Sequence, residues 1–124
     1  MLNHIVCMGR LVSDPVARVS PNGHAICSFS IACDRDVRSA DGSRQTDFVD
    51  VVCWRNTAEH VAKFFTLGRM AVVDGRLQIS DYTDADGNRR RKAEILASSV
   101  HFGDSKPQAR NRDEAARGAM EAAG

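Results

Sequence analysis

Phe48, Asp50 and Trp54 lie within TDFVDVVCWRN, residues 46–56, with Arg55 directly after the tryptophan. Flat aromatic rings beside a guanidinium are the groups that stack on nucleobases and pair with phosphate, since every base has a π-face. On a β-strand, Phe48, Asp50, Val52 and Trp54 share one side while Val49, Val51 and Cys53 share the other. The second side is small and apolar, which suits a packed interior. The first therefore faces outward, where Asp50 avoids the cost of an unpaired buried charge. Exposed rings two positions either side of an outward pair suit a single-stranded nucleic-acid platform. A loop or a neighbouring subunit packed over Phe48 and Trp54 would explain them equally well.

A second group is basic. Arg89, Arg90, Arg91 and Lys92 follow one another in GNRRRKAE, and Arg10, Arg35, Arg38 and Arg55 fall near strand ends. They are candidate phosphate contacts, although charges on a strand edge also serve simply to keep it solvated. Net charge gives no further guidance: 17 basic and 16 acidic groups leave +1. Catalytic chemistry finds less support. His4, His24, His60 and His101 are scattered, with no second acid or base at a motif spacing. A small nuclease is thus the weaker alternative. Asp81, Asp84 and Asp86 lack the full calcium-loop pattern and its closing glutamate, and are better assigned to a turn. Cys7, Cys27, Cys33 and Cys53 stand 20, 6 and 20 residues apart. No short pairing of the kind used by zinc or redox motifs occurs, so they are expected as free, buried thiols. No metal, cofactor or catalytic residue is expected.

These side chains need elements to position them. A chain of 124 residues with 43% hydrophobic content can bury one core, so one domain over 1–103 and a flexible tail over 104–124 are expected. No apolar run is long enough to span a membrane, and MLNHIVCMGR has no signal-peptide pattern, which places the chain in the cytoplasm as an expectation. Periodicity is mostly two. HAICSFSIACDR alternates Ala25, Cys27, Phe29, Ile31 and Cys33 against Ser28 and Ser30, after the turn signal SPNG. LNHIVCMGRLV and RMAVVDGRLQISDY each carry an internal glycine, Gly9 and Gly75, which marks a bulge or bend. Asp86 and Gly87 suit a hairpin turn before KAEILASSVHF. One helix is expected in NTAEHVAKFFTLG, with Asn56 and Glu59 as a capping box, Ala58, Val61, Ala62 and Phe65 as its buried stripe, and Gly68 as its stop. Three strands, a helix and two strands, bent by glycines, fit an all-β OB-fold: a five-stranded Greek-key barrel with the helix between strands 3 and 4.

From MLNHIVCMGRLVSDPVARVSPNGHAICSFSIA through TDFVDVVCWR, LGRMAVVDGRL and YTDADGNRRRKAEILA to about Phe102, the chain resembles the bacterial single-stranded DNA-binding proteins. The resemblance covers some four-fifths of the length and keeps the element order. It implies sequence-independent binding of single-stranded DNA in replication, recombination and repair, association as a homotetramer, and a location on the nucleoid. It also implies base stacking at Phe48, Trp54 and Tyr82, with phosphate contacts from Arg10, Arg35, Arg55, Arg89, Arg90, Arg91 and Lys92. A related alternative is a dimeric primosomal protein of replication restart. Two departures stand out. Val37 occupies the position of a further stacking aromatic. GDSKPQARNRDEAARGAMEAAG is charge-balanced and lacks the acidic, Pro-Phe-ended tip by which family members recruit protein partners, so those partners are not expected.

Overall fold

The computed structural model describes residues 2–38 and 40–104, the side chains of Val37 and Arg38 excepted. The expected tail beyond Asp104, the residue at position 37 as a stacking side chain and Arg38 as a phosphate contact lie outside what is described. In chain order the elements are β1 (Ile5–Leu11), β2 (Val16–Val19), β3 (Ala25–Arg38), β4 (Arg44–Trp54), α1 (Arg55–Phe64), β5 (Met70–Thr83) and β6 (Arg89–Phe102). The sheet runs β1-β5-β6-β4-β3-β2, and β1 pairs a second time with β3. That extra pairing closes five strands into an OB barrel and leaves β2 outside the ring as an edge strand on β3. Every seam is antiparallel except β4–β6, which is parallel at Asp50↔Glu94, Val51↔Ile95 and Val52↔Leu96.

Closure depends on two glycines. β1 pairs with β5 from Ile5↔Gly75 to Arg10↔Met70, then with β3 at Arg10↔Ala32 and Leu11↔Ile31. At Gly9 a Cβ would lie 2.5 Å from the Ala32 carbonyl oxygen. At Gly75, where the β5–β6 register shifts, it would lie 2.2 Å from the Leu96 carbonyl oxygen and 2.8 Å from the Ala97 Cα. Both glycines exist for close backbone approach at a bend, as their place inside strands implied.

The interior is filled by Leu11, Cys27, Phe29, Ile31, Val51, Cys53, Ala71, Val73, Ile95, Ala97 and Val100, and α1 contributes Ala58 and Val61, followed by Phe65. Alternation along β3 and β4 therefore identified the inward sides correctly. Cys27 and Cys53 are fully buried free thiols, whereas Cys7 and Cys33 are half-buried.

The helix departs from expectation at both ends. It begins at Arg55, its N-cap is Trp54, and no side chain caps it. Asn56 sits inside the first turn, so no capping box forms. The reason is that β4 runs directly into the helix, the chain turning at Arg55 with φ 57 and leaving no extended residue for Asn56 to occupy. Instead the Thr57 hydroxyl donates to the Ser98 carbonyl at 3.2 Å and ties the helix start to β6. The helix ends at Phe64, earlier than Gly68. Gly68, at φ 88, belongs to the following turn and donates its N–H to the Leu11 carbonyl at 2.9 Å. Ala62 faces solvent rather than the barrel, because Ala58, Val61 and Phe65 already fill the contact. Strand β2 was also not foreseen: VARV is exposed throughout and carries no in–out alternation.

The barrel's lower end is closed by charge as well as by apolar packing. Arg69 is buried, its guanidinium 4.1 Å from the centre of the Phe102 ring, which stacks on Phe65 at 4.3 Å. The Asp104 carboxylate accepts from Arg69 Nε and Nη2, both at 3.2 Å, and from the Met70 N–H at 3.3 Å. A buried cation is thus stacked and paired, as its desolvation demands.

The two kinds of glycine should respond differently to alanine. Gly75→Ala must displace backbone and is expected to cost about 3 kcal/mol, the upper range for an overpacked core. Gly87→Ala has open space around its Cβ and only a positive φ to strain, so about 1 kcal/mol is expected. Urea denaturation midpoints at one fixed protein concentration give the comparison, and equal losses would refute the closure argument.

Candidate nucleic-acid interface

Register places the predicted side chains relative to one another. On β4, Phe48, Asp50, Val52 and Trp54 oppose Ala32, Ser30, Ser28 and Ile26 of β3. Across the other seam Asp50 is level with Glu94, and Glu94, Lys92 and Arg90 of β6 oppose Gln78, Ser80 and Tyr82 of β5. Since side chains opposite one another share a side of the sheet, one outer face runs from Trp54 and Phe48 across Asp50 and Glu94 to Lys92, Arg90 and Tyr82. Its three rings are exposed: Phe48 70%, Tyr82 51% and Trp54 41%. Val52 shares this face yet is buried, hemmed in by Ser28 and Leu96 on the flanking strands.

Asp50 is the charge that made the orientation of β4 a question. It is only half-buried, and the Ser30 hydroxyl donates to Oδ1 at 2.6 Å, so its partner sits directly across the seam on the same face. Two adjoining clefts flank it. One of about 400 Å³ is lined by Val16, Arg18, Ser28, Ser30, Asp50 and Glu94 among others. The other, about 710 Å³, is lined by Asp50, Ser80, Tyr82, Lys92 and Glu94 among others.

The basic residues divide. Arg90 and Lys92 stand on the ring-bearing face. Arg89 and Arg91 alternate to the opposite side of the β5–β6 hairpin, where both reach Asp81, at 3.9 and 3.3 Å. Arg35 is also on the opposite parity from Phe48: its Nε and Nη2 hold Asp47 at 3.1 and 2.9 Å. Arg10 donates to the Gly68 carbonyl at 3.0 Å and lies 3.8 Å from Asp104, at the β1–β3 seam. Arg55 follows Trp54, and its Nη2 is 3.5 Å from His24 Nε2. Lys92 lies 3.5 Å from Glu94. Arg18 was missed altogether, because the strand that presents it was missed; it lines the smaller cleft, and among the described residues it makes no ion pair.

Arg90 is held by the turn. Asp84 Oδ1 accepts the backbone N–H groups of Asp86 and Asn88 at 3.0 and 2.9 Å, while Oδ2 accepts from Arg90 Nε at 2.8 Å. The Arg90 hydrogen bond first, and the backbone donors after it, hold the Asp84 carboxyl below its ordinary 3.8. Asp47 is lowered likewise by the hydrogen bond from Arg35, against a smaller opposing effect of desolvation. Asp84 and Asp86 are thus turn residues, with Gly87 at φ 85 completing the hairpin, whereas Asp81, assigned to the turn with them, lies within β5 opposite Arg91. Among the described residues no group of three or more His, Cys, Asp or Glu could hold a metal ion, and no helix is long and apolar enough to cross a membrane.

Comparison with known proteins identifies a family. The model of the single-strand binding protein family matches residues 2–103. Single-stranded DNA-binding protein 2 of Listeria monocytogenes is 44% identical over 102 residues, 82% of this chain and 64% of that protein. Single-stranded DNA-binding protein A of Bacillus subtilis is also 44% identical over 102 residues, 82% of this chain and 59% of that one. The chain therefore spans about three-fifths of the length of the curated relatives it matches. Among solved structures, a Plasmodium falciparum SSB in complex with ssDNA superposes with a TM-score of 0.76 at 24% identity, over 84% of this chain and 96% of that one; this likeness speaks for the fold.

The lowered carboxyls fix a sign. A group whose pKa falls on folding stabilises the fold above its unfolded value, and that contribution is lost as pH drops through the folded value. Asp47 and Asp84 should therefore hold their pairs at neutral pH and release them only below the ordinary carboxyl range. Carboxyl-carbon NMR titration of Arg35→Ala should show the Asp47 midpoint moving up toward 3.8, with that of Asp84 unmoved. Movement of both would mean that the two pairs are coupled.

Proposed function

Because the chain belongs to the single-strand binding protein family, we propose that it binds single-stranded DNA, without reading its sequence, on the outer face that carries Trp54, Phe48 and Tyr82. The observation that carries this reading is the unbroken register that sets three exposed rings and two cations on one side of the sheet. Bases stack on the rings, and each stacked base contributes roughly 1–3 kcal/mol. Phosphates take the rim, where Arg90, Lys92, Arg55 and Arg18 lie within the same surface. Arg10, Arg35, Arg89 and Arg91 sit off that face and would touch a strand only where it wraps around the barrel or the hairpin.

The ion pairs give binding an exchange character. Arg90 leaves Asp84 and Lys92 leaves Glu94 as phosphate arrives, so the net gain per contact is smaller than for a free cation. Because the pairs are exposed they cost little to break. The protein acts by binding and protecting the strand in replication, recombination and repair, not by cutting it. The scattered histidines and the commitment of Asp81 and Asp84 to arginine and backbone partners support that reading. A homotetramer in the cytoplasm, on the nucleoid, completes the proposal; the exposed Val6 and Met8 on the outer side of β1 offer an apolar surface for a second copy.

Trp54 is the single tryptophan, so its emission reports one position. Oligo-dT should quench it, and Trp54→Ala should weaken binding by ~1–3 kcal/mol. Unchanged emission at saturation would remove Trp54 from the site. Binding should weaken with salt by about 0.7 log units per log unit of salt for each phosphate neutralised. Asp84→Asn keeps an oxygen for the turn but drops the charge that holds Arg90, and should tighten binding several-fold at low salt, alike on different sequences. Labelled strands incubated with Mg²⁺ should remain intact, and light scattering should return four chains per particle.

A further inference from the structure

We infer, on the strength of the strand-binding role proposed above, that Asn3 is a positioning residue for Tyr82 and Arg90. Its side chain stands in for the next peptide of β1 and fixes the angle at which the β5–β6 hairpin leaves the barrel. The β1–β5 ladder runs outward only as far as Ile5↔Gly75. Past Gly75, β5 has β6 as its paired strand, from Arg76↔Leu96 to Thr83↔Arg89. On its other side β6 is held by β4 only from Asp50↔Glu94 to Val52↔Leu96. The outer part of the hairpin, where Tyr82 opposes Arg90, therefore has no third strand beside it among the described residues.

Asn3 meets that hairpin just past the last pair of the ladder. Continued from Ile5↔Gly75, the register sets Asn3 level with Leu77. In an antiparallel strand the N–H and C=O of one residue point the same way, and Leu77 turns both toward the β1 side. There the Asn3 amide takes the place of a strand: Nδ2 donates to the Leu77 carbonyl at 3.0 Å, and Oδ1 accepts the Leu77 N–H at 3.0 Å. A carboxamide carries the donor and acceptor of a peptide group on one plane, so a single side chain satisfies both. The opposite orientation of the amide would set N–H against N–H and oxygen against oxygen.

The clamp sits at a pivot. Gly75 is the bend, and the β5–β6 register shifts between Asp74 and Gly75. A cavity of about 400 Å³ opens beside it, lined by Asn3, His4, Gly75, Arg76, Leu96 and Ser98 among others. On the barrel side of the bend, the Ser98 hydroxyl donates to the Asp74 carbonyl at 3.0 Å and His4 lies 3.5 Å from Asp74. Asn3 crosses the bend and grips the hairpin side. Trp54 and Phe48 stand on β4, within the barrel proper, and do not move with the hinge. Loss of the clamp thus separates Tyr82 and Arg90 from the two rings of β4 while leaving those rings in place.

Tyr82 and Trp54 are the chain's single tyrosine and single tryptophan, so each reports on one side of the hinge. The test measures the affinity of the full chain for labelled oligo-dT by anisotropy, for Tyr82→Ala and Trp54→Ala, each with and without Asn3→Ala. Tyr82→Ala should weaken binding about ten-fold in the otherwise unmutated chain, the worth of one stacked base. Once Asn3 is alanine that loss should shrink to about two-fold, whereas the Trp54→Ala loss should be equal in both backgrounds, as independent sites add. Fluorotyrosine NMR of the free protein should show Tyr82 gaining mobility in Asn3→Ala. Asn3→Asp should do the same, because it keeps the acceptor but cannot donate to the Leu77 carbonyl. An equal Tyr82 loss in both backgrounds, a Trp54 loss that shrinks along with it, or an unchanged fluorotyrosine line would each overturn the inference. Those results leave strand binding standing, since Trp54 quenching by oligo-dT is read on the unmutated chain. Neither quenching nor binding there would sink strand binding, and the inference with it.

Discussion

Closure of the barrel through β1 is the constraint on which the rest depends. One seven-residue strand must pair with β5 along most of its length and with β3 at its end. An L-residue cannot sit where its Cβ would come within 2.5 Å of a neighbouring carbonyl oxygen, so the bend falls on Gly9, and its counterpart on β5 falls on Gly75. Once the ring is closed, alternate residues of every barrel strand are committed to a narrow interior. Mostly small and medium side chains fill it, which is why β3 and β4 point Cys27, Ile31, Val51 and Cys53 inward, with Phe29 the large side chain that β3 adds.

The same commitment builds the outer face. Nothing about Phe48, Asp50 or Trp54 individually requires exposure; their exposure follows from the inward assignment of Val51 and Cys53 one residue away. The face then has to tolerate carboxylates in its middle. Asp50 is hydrogen-bonded by the neutral Ser30 hydroxyl and Glu94 is paired with Lys92, so both carboxylates already have partners on this face. A strand laid on it exchanges these contacts rather than adding to bare charges. Among the described residues Arg18, in the cleft, and Arg55, beside Trp54, make no ion pair with a carboxylate.

Arg90 and Arg91 illustrate how one residue of phase changes a role. They are adjacent in a run of four basic side chains, but the pleat sends Arg90 to Tyr82's side, under the control of the Asp84 turn, and Arg91 to Asp81 on the reverse. The hairpin thus carries its charge on both surfaces, which also keeps a long projecting pair of strands solvated.

The sequence by itself determined the sides of the strands, the bends at Gly9 and Gly75, the turn at Gly87 and the fold that these impose, because alternation and the steric demand of a glycine are local and are written residue by residue. It also determined which rings stand outside on β4. What it left open were properties set by distant partners. The helix start depended on β4 running straight into α1, so the Asn56 cap had nothing to cap. Strand β2 owes its existence to pairing with β3 rather than to any pattern in VARV, and Arg18 was lost with it. The Asp81 partner of Arg91, the Asp47 partner of Arg35 and the Ser30 partner of Asp50 all join residues at least ten positions apart. Only the closed barrel, by fixing strand register, decided which of them touch.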